Sequence, residues 1–211
     1  MTTHLRTLLM LTSLALGSVA HADNHGEHND QGSRASGVEH YLIDTSGAHA
    51  FIQFKISHLG FSWLRGRFND FEGAFSFDPN DPANSSVEVT IDTTSIDSNH
   101  DRRDEHLRND DFLSVDDHPS AHFVSTAFEH IEGDRYTMVG DFTFMGVTKS
   151  LTFDVEQVGA GTDPWGNYRR GFHGTTRFAL SDFGIDYDLG PSAREVEIIL
   201  DVEGIRQDPQ A

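Results

Sequence analysis

From Tyr41 onward the chain alternates apolar and polar residues in short runs, broken at regular intervals by turn-forming residues, and this period of two marks strands rather than helices. Ile52, Phe54 and Ile56 alternate with Gln53, Lys55 and Ser57. Val87, Val89 and Ile91 alternate with Glu88, Thr90 and Asp92, and Phe142 and Phe144 with Asp141 and Thr143. Val196, Ile198, Leu200 and Val202 oppose Glu197, Asp201 and Glu203. Successive side chains of a strand point to opposite faces, so each run has one dry and one wet face. The pattern predicts long strands at 48–58, 66–78, 86–92, 121–130, 135–144, 149–158, 169–182 and 194–204, after a short opening strand at 41–44.

Two places break the rhythm. Residues 101–112 are rich in Arg, Glu and Leu and lack Pro and Gly, which predicts a single helix, with Ser98 and Asn99 as candidate caps. Within 66–78 the apolar parity switches between Phe68 and Phe71, which predicts a bulge near Asn69 and Asp70 that bends the strand. Short connections such as Glu132-Gly133-Asp134 and Phe144-Met145-Gly146-Val147 suit an antiparallel meander. Eight amphipathic strands with little helical cover are best satisfied by closing the sheet on itself, which removes both edges. The fold expected is all-β, an eight-stranded antiparallel barrel with one helix between strands. Its sixteen phenylalanines are compatible with a solid aromatic core or with a ligand cavity.

The residues before the barrel change the setting. Met1–Thr7 carries Arg6 and no acid, Leu8–Val19 is apolar, and Ala20-His21-Ala22 supplies a small-residue site, the layout of a secretory signal peptide over 1–22 cleaved after Ala22. Residues 23–38 are polar or glycine-rich and read as a flexible linker, 39–206 as the barrel, and 207–211 as a tail. Periplasmic localisation is expected. The chain has no cysteine, so neither disulfides nor a lipidated N-terminal cysteine are available. Thirty-four acidic residues against fifteen basic ones give a formal charge of −19, made one unit more negative by loss of Arg6, and nucleic acid is excluded as a natural partner.

No nucleophile elbow, zinc helix, phosphate loop or dinucleotide fingerprint occurs, so no specific catalytic motif is present and no enzyme activity is expected. His100, Asp104, His106, His118 and His122 cluster in sequence around the helix, but their spacing fits no zinc pattern and Pro119 interrupts it. A metal-dependent hydrolase built on that cluster is one alternative reading, and a ligand-free structural or stress protein is another. His58 ends the apolar face of Ile52, Phe54 and Ile56, so it is a candidate to meet a ligand head group at the barrel mouth.

Separated blocks carry a family resemblance. Tyr41-x-Ile43-Asp44, His49-Ala50-Phe51 and Phe54-x-Ile56-x-His58-Leu59-Gly60-Phe61-Ser62 continue into Gly66-x-Phe68, Phe71-x-Gly73 and Ser95-Ile96-Asp97. Arg103-Asp104-x-His106-Leu107-Arg108, Gly140-Asp141-Phe142-Thr143, Gly146-Val147-Thr148-Lys149, Asp163-Pro164-Trp165-Gly166 and Asp182-Phe183-Gly184-Ile185 follow in order. Over residues 39–206 the chain resembles the YceI-like proteins, periplasmic, lipocalin-like, polyisoprenoid-binding proteins. The resemblance implies a barrel whose pore takes an isoprenoid lipid, quinone-like or prenyl, without a required cofactor. It also implies a cytochrome b561-type membrane protein as a possible partner, and a homodimer is a further possibility. One position departs from the family: Leu180 stands where many members carry Lys or Arg.

On this reading the pore is lined by Phe54, Ile56, Phe75, Phe77, Val89, Ile91, Phe142, Phe144, Phe153, Phe172 and Phe178, with His58 and Lys149 near the head group. A separate expectation comes from the processing site. Cleavage after Ala22 starts the mature chain with Asp23-Asn24-His25, where the terminal amine, two amide nitrogens and an imidazole nitrogen of His25 can surround Cu(II) in a plane.

Overall fold

The computed structural model describes residues 37–47 and 49–207. The expected leader over 1–22, most of the linker, the copper site of Asp23, Asn24 and His25, and residues 208–211 lie outside the described residues. The described chain runs through β1 (Glu39–Ile43), β2 (Phe51–His58), β3 (Ser62–Phe68), β4 (Phe71–Phe77), β5 (Ser86–Asp92), β6 (Ile96–Asp97) and α1 (Asp101–Arg108). It continues through β7 (Ser120–Glu132), β8 (Arg135–Phe144), β9 (Val147–Thr162), β10 (Tyr168–Ala179) and β11 (Glu195–Gln207).

Eight of these strands close an antiparallel ring in the order β1, β4, β5, β7, β8, β9, β10, β11 and back to β1. The other three extend the wall at one end. β11 is long enough to hold two partners along one edge, pairing residues 204–207 with β1 and 196–201 with β2. β3 pairs with β2, and β6 adds two residues to β3. Among the described residues β6 has no other partner, and β7 starts its pairing with β5 at Ser120, so the wall is closed at the β1 end and split between β6 and β7 at the other. The helix region occupies this split. Arg108, in the last turn of α1, donates from Nε to the Thr94 carbonyl (2.8 Å) and from Nη2 to that of Ile96 (3.0 Å), while Phe112, Leu113 and Val115 beyond it are buried.

The bulge expected near Asn69 is a complete break in the ladder. Residues 62–68 belong to the extension and 71–77 to the ring, so the single strand expected over 66–78 is two strands. At the corner the backbone N–H groups of Asn69 and Asp70 are taken by the carbonyl and hydroxyl of Ser95 (3.2 and 3.0 Å) instead of a neighbouring strand. The parity switch has this cause, because a two-residue corner turns Phe71 inward just as Phe68 was. The helix is also shorter than 101–112. Asn99 takes a left-handed conformation (φ 64°), which leaves His100 as the cap, and Asn109 ends the last turn.

Alternation does place the interior. Inward positions of β2, β5, β8 and β11 are the apolar ones, and the outward positions are mainly polar, carrying acids on β5, β8 and β11 and Gln53, Lys55 and Ser57 on β2. One inward glycine is required by space. A Cβ at Gly204 would lie 2.5 Å from the Phe75 ring and 2.9 Å from Cβ of Tyr41, two rings that stack at 4.7 Å. Gly204→Ala is expected to destabilise by about 1–3 kcal/mol, as overpacking does, seen as a lower urea midpoint with an unchanged slope.

Candidate functional site

The barrel encloses two apolar chambers. The inner one has a volume of about 130 Å³ and is lined by Phe75, Phe77, Val89, Ile91, Phe142, Phe144, Phe153, Phe172 and Phe178, with Ile198, Leu200 and Val202 of β11. The outer one, about 640 Å³, lies toward the split end and is lined by Phe54, Ile56, Leu64, Leu107, Phe112 and Leu113, together with Leu180, Ile185, Tyr187 and Leu189. Phe68, Phe144, Phe178 and Ile198 line both, so the chambers meet at a wall of three rings and one branched aliphatic. Within that wall Phe144 and Phe178 each pack edge-on to the fully buried Phe183, at 5.7 and 4.9 Å between centroids.

At the closed end the inward positions turn from apolar to polar. Arg170 is buried on β10 and packs over the ring of Phe77, 4.4 Å from its centroid. Its Nε donates to the Tyr41 hydroxyl (3.1 Å), Nη2 to Glu39 (2.8 Å) and Nη1 to the Gln157 side chain, and the Tyr41 hydroxyl donates to Glu39 (2.6 Å). Burial raises the pKa of the Glu39 carboxyl, but hydrogen bonds from Tyr41 and Arg170 and the charges of Arg170 and Arg206 outweigh it and hold the group below its ordinary value. Burial, assisted by the carboxylate that accepts its proton, pushes Tyr41 up to about 12. A satisfied ionic network therefore seals the floor behind the aromatic rings.

The mouth carries polar side chains from β2, from α1 and from the stretch after Phe183. Ser57, His58, Arg103, His106 and Asp188 border the outer chamber. Arg103 commits Nε to the Ser98 hydroxyl (2.7 Å) and Nη2 to the Ser98 carbonyl (2.6 Å), and Ser98 in turn donates to the buried Asp104. His106 packs edge-on against both Phe112 (5.0 Å) and Tyr187 (5.4 Å), which also touch each other (4.8 Å), and its Nε2 lies 3.0 Å from Asp111. Its sequence neighbours do not join it. His100 caps the helix, Asp104 bonds Ser98, and His122 points outward to Thr90 and Ser120. Among the described residues, the three side chains that converge as metal ligands do are Asp44, His49 and Glu203, away from this cluster. A cation is already there: Arg169 Nη1 lies 2.7 Å from both carboxylates, and Asp44 is lowered to about 2 by hydrogen bonds from Ser46 and Arg169.

All eleven residues expected on the pore face line one chamber or both, and His58 borders the outer one. Lys149 does not. It has inward parity, opposite Phe142, but is exposed and lines neither chamber. Arg103, His106 and Tyr187 border the mouth without having been read as ligand contacts. Their segments, a short helix and the irregular stretch 184–194, carry no period-two signal that assigns a face.

The architecture is that of a closed antiparallel barrel with an apolar interior open at one end, the class of small-molecule-holding barrels. A family profile for the YceI-like domain matches residues 41–204, and the chain belongs to the YceI-like family. It is 49% identical over 197 residues to a UPF0312 protein of Pseudomonas aeruginosa strain LESB58, covering 93% of this chain and 97% of that one. A UPF0312 protein of Pectobacterium carotovorum subsp. carotovorum is 52% identical over 167 residues, covering 79% and 86%. Among solved structures, Burkholderia cenocepacia BcnA superposes with a TM-score of 0.69 at 24% identity, covering 76% of this chain and 98% of that one. The Campylobacter jejuni YceI protein superposes at 0.64 with 27% identity, covering 72% and 91%. A domain of Saccharophagus degradans described as polyisoprenoid-binding superposes at 0.58 with 13% identity, covering 79% and 98%.

Proposed function

We propose that this protein is an exported, periplasmic carrier that holds one isoprenoid-type lipid and performs no chemistry on it. The observation that carries the reading is the pair of joined apolar chambers ending on a sealed floor. The description of the Saccharophagus degradans domain as polyisoprenoid-binding supports the ligand class, and the signal-like segment 1–22 supports the compartment. Volume apportions the ligand. An apolar cavity of ~150 Å³ holds a molecule the size of benzene, so the inner chamber takes the end of the chain and the outer chamber most of its length. Each methylene buried contributes about 0.8 kcal/mol, so a few isoprene units hold without any charge contact.

The head group is electrically neutral and quinone-like. The chain carries a formal charge of −19, Leu180 places an aliphatic side chain on the outer wall, and Asp188 borders the same chamber. Arg103, the cation at the mouth, already spends two donor groups on Ser98. Native mass spectrometry with lipid extraction, on protein isolated from its own host, is expected to show one neutral isoprenoid lipid per chain. Protein that emerges empty overturns the carrier reading, and a tightly held prenyl pyrophosphate overturns the neutral head.

A further inference from the structure

We propose that the β2–β3 hairpin is a membrane-docking element that seats the mouth of the barrel on an anionic lipid surface. The inference rests on the carrier reading and adds the place where cargo is exchanged. In a chain with 34 acidic residues, residues 51–68 contain no Asp or Glu and carry Lys55, Arg65 and Arg67. The acidic body is repelled by anionic head groups, and this hairpin is the arm that they attract.

The tip of the hairpin is apolar and exposed. Leu59 is 59% exposed, Phe61 87% and Trp63 62%. The tip is also held in a costly conformation: Leu59 has φ 53° beside Gly60 at 78°, and the turn is closed by Phe61 N–H donating to the His58 carbonyl (2.9 Å). The hairpin turn requires a positive φ at both central residues, and it puts a leucine, rather than the usual polar residue or glycine, at the first of them with its side chain in water. Trp63 is braced by Lys55, whose Nζ lies 5.0 Å from the ring, and Arg65 and Arg67 follow Trp63 on the outward face of β3. Lys55 and Arg67 lie near Glu197 and Asp97, whereas Arg65 is exposed and has no carboxylate within ion-pair distance among the described residues. Aromatic and aliphatic tips above basic stems are the composition of segments that lie in the head-group layer.

Position links this surface to the cargo. His58 and Leu59 border the outer chamber, and Tyr187, 45% exposed, borders it too. A tip inserted among head groups therefore brings the open end of the chamber against the bilayer, so that an isoprenoid chain passes between membrane and barrel without crossing water. The exposed Trp165 has none of this company. It lies in the β9–β10 turn at the closed end, near Asp163, Asp44 and Glu203, and serves as a control.

The test is co-sedimentation of the isolated, lipid-loaded protein with vesicles of equal parts phosphatidylcholine and phosphatidylglycerol, with bound lipid extracted from every sample. The wild type is expected to sediment with these vesicles and to be released by salt. Phe61→Ser with Trp63→Ser, and separately Arg65→Glu, are expected to weaken partitioning at least about tenfold while keeping the thermal midpoint and the bound lipid, and Trp165→Ser to behave as wild type. Lipid transfer to acceptor vesicles should rise with vesicle concentration for the wild type and lose that dependence in the tip variants. Loaded protein that stays in the supernatant, or tip variants that sediment as wild type does, overturns the docking proposal and leaves the carrier reading standing. A dimer in sedimentation equilibrium that the tip variants abolish, without vesicle binding, assigns the surface to a second copy and overturns it as well. Protein that never contains lipid overturns the carrier reading instead, while the sedimentation arm still decides the docking.

Discussion

Arg170→Met is expected to lower the unfolding free energy by about 3–5 kcal/mol, the range for removing one partner of a buried ion pair, and the thermal midpoint by on the order of 10 °C. Methionine restores most of the apolar stem against Phe77 but leaves Glu39, Tyr41 and Gln157 without their shared donor. Arg206, 3.3 Å from the other Glu39 oxygen, compensates only in part. The pH dependence separates this mechanism from lost packing. In the wild type the Glu39 carboxyl is held below its ordinary value of 4.5 when folded, so its contribution to stability is complete above that value and is lost as pH falls through the depressed folded pKa. The variant keeps the Tyr41 hydrogen bond and the Arg206 charge but loses both contributions of Arg170, so the folded pKa of Glu39 rises toward the unfolded one. The destabilisation measured by urea unfolding should therefore be largest near neutrality and shrink on acidification. A gap that stays constant down to acid pH contradicts the network.

Phe144→Asp is expected to remove co-purifying lipid, because Phe144, with Phe68, Phe178 and Ile198, forms the wall shared by both chambers. A carboxyl there replaces a ring that packs against Phe142, Phe178 and Phe183. An uncompensated polar group in such surroundings costs roughly 2–7 kcal/mol, and even the lower end corresponds to more than about tenfold in affinity. Phe144→Leu keeps the wall apolar and is expected to retain lipid, with a stability loss of about 1–2 kcal/mol. Lipid per folded chain is the quantity to measure, by extraction and mass spectrometry alongside a thermal melt. Equal lipid in the aspartate variant contradicts a ligand that threads both chambers.

Side-chain alternation made the interior legible before any coordinates. Phe54, Val89, Phe142 and Phe153 lie on the inner face because a period of two fixes the face, and the presence of the helix followed from a stretch without that period. Alternation fixes a face but not a depth, which is why Lys149 shares its inward parity with Phe153 and is still exposed. It also cannot tell a bulge from a corner, since both reverse parity. The distinction between β3 and β4 depends on which neighbours their backbones meet, and Ser95, far along the chain from Asn69, decides it. The outer chamber was the least legible part. Its walls come from α1 and from Ile185, Tyr187 and Leu189, brought together by tertiary packing of segments without regular repeat. Arg170 was hidden for a related reason, because a cation at a strand start reads as a solvated end until its acceptors are known.

The order in which the strands meet has a consequence for biosynthesis. β7 to β11 form by successive hairpins, each strand meeting its predecessor soon after it is made. β1 and β2, among the first strands to leave the ribosome, pair along the edge of β11, the last strand. Until residues 195–207 have been synthesised the ring has no seam to close, and early chain segments wait with one edge unpaired. A nascent chain stopped short of Glu195 thus lacks the strand that both N-terminal pieces need, which keeps it open until β11 has been made.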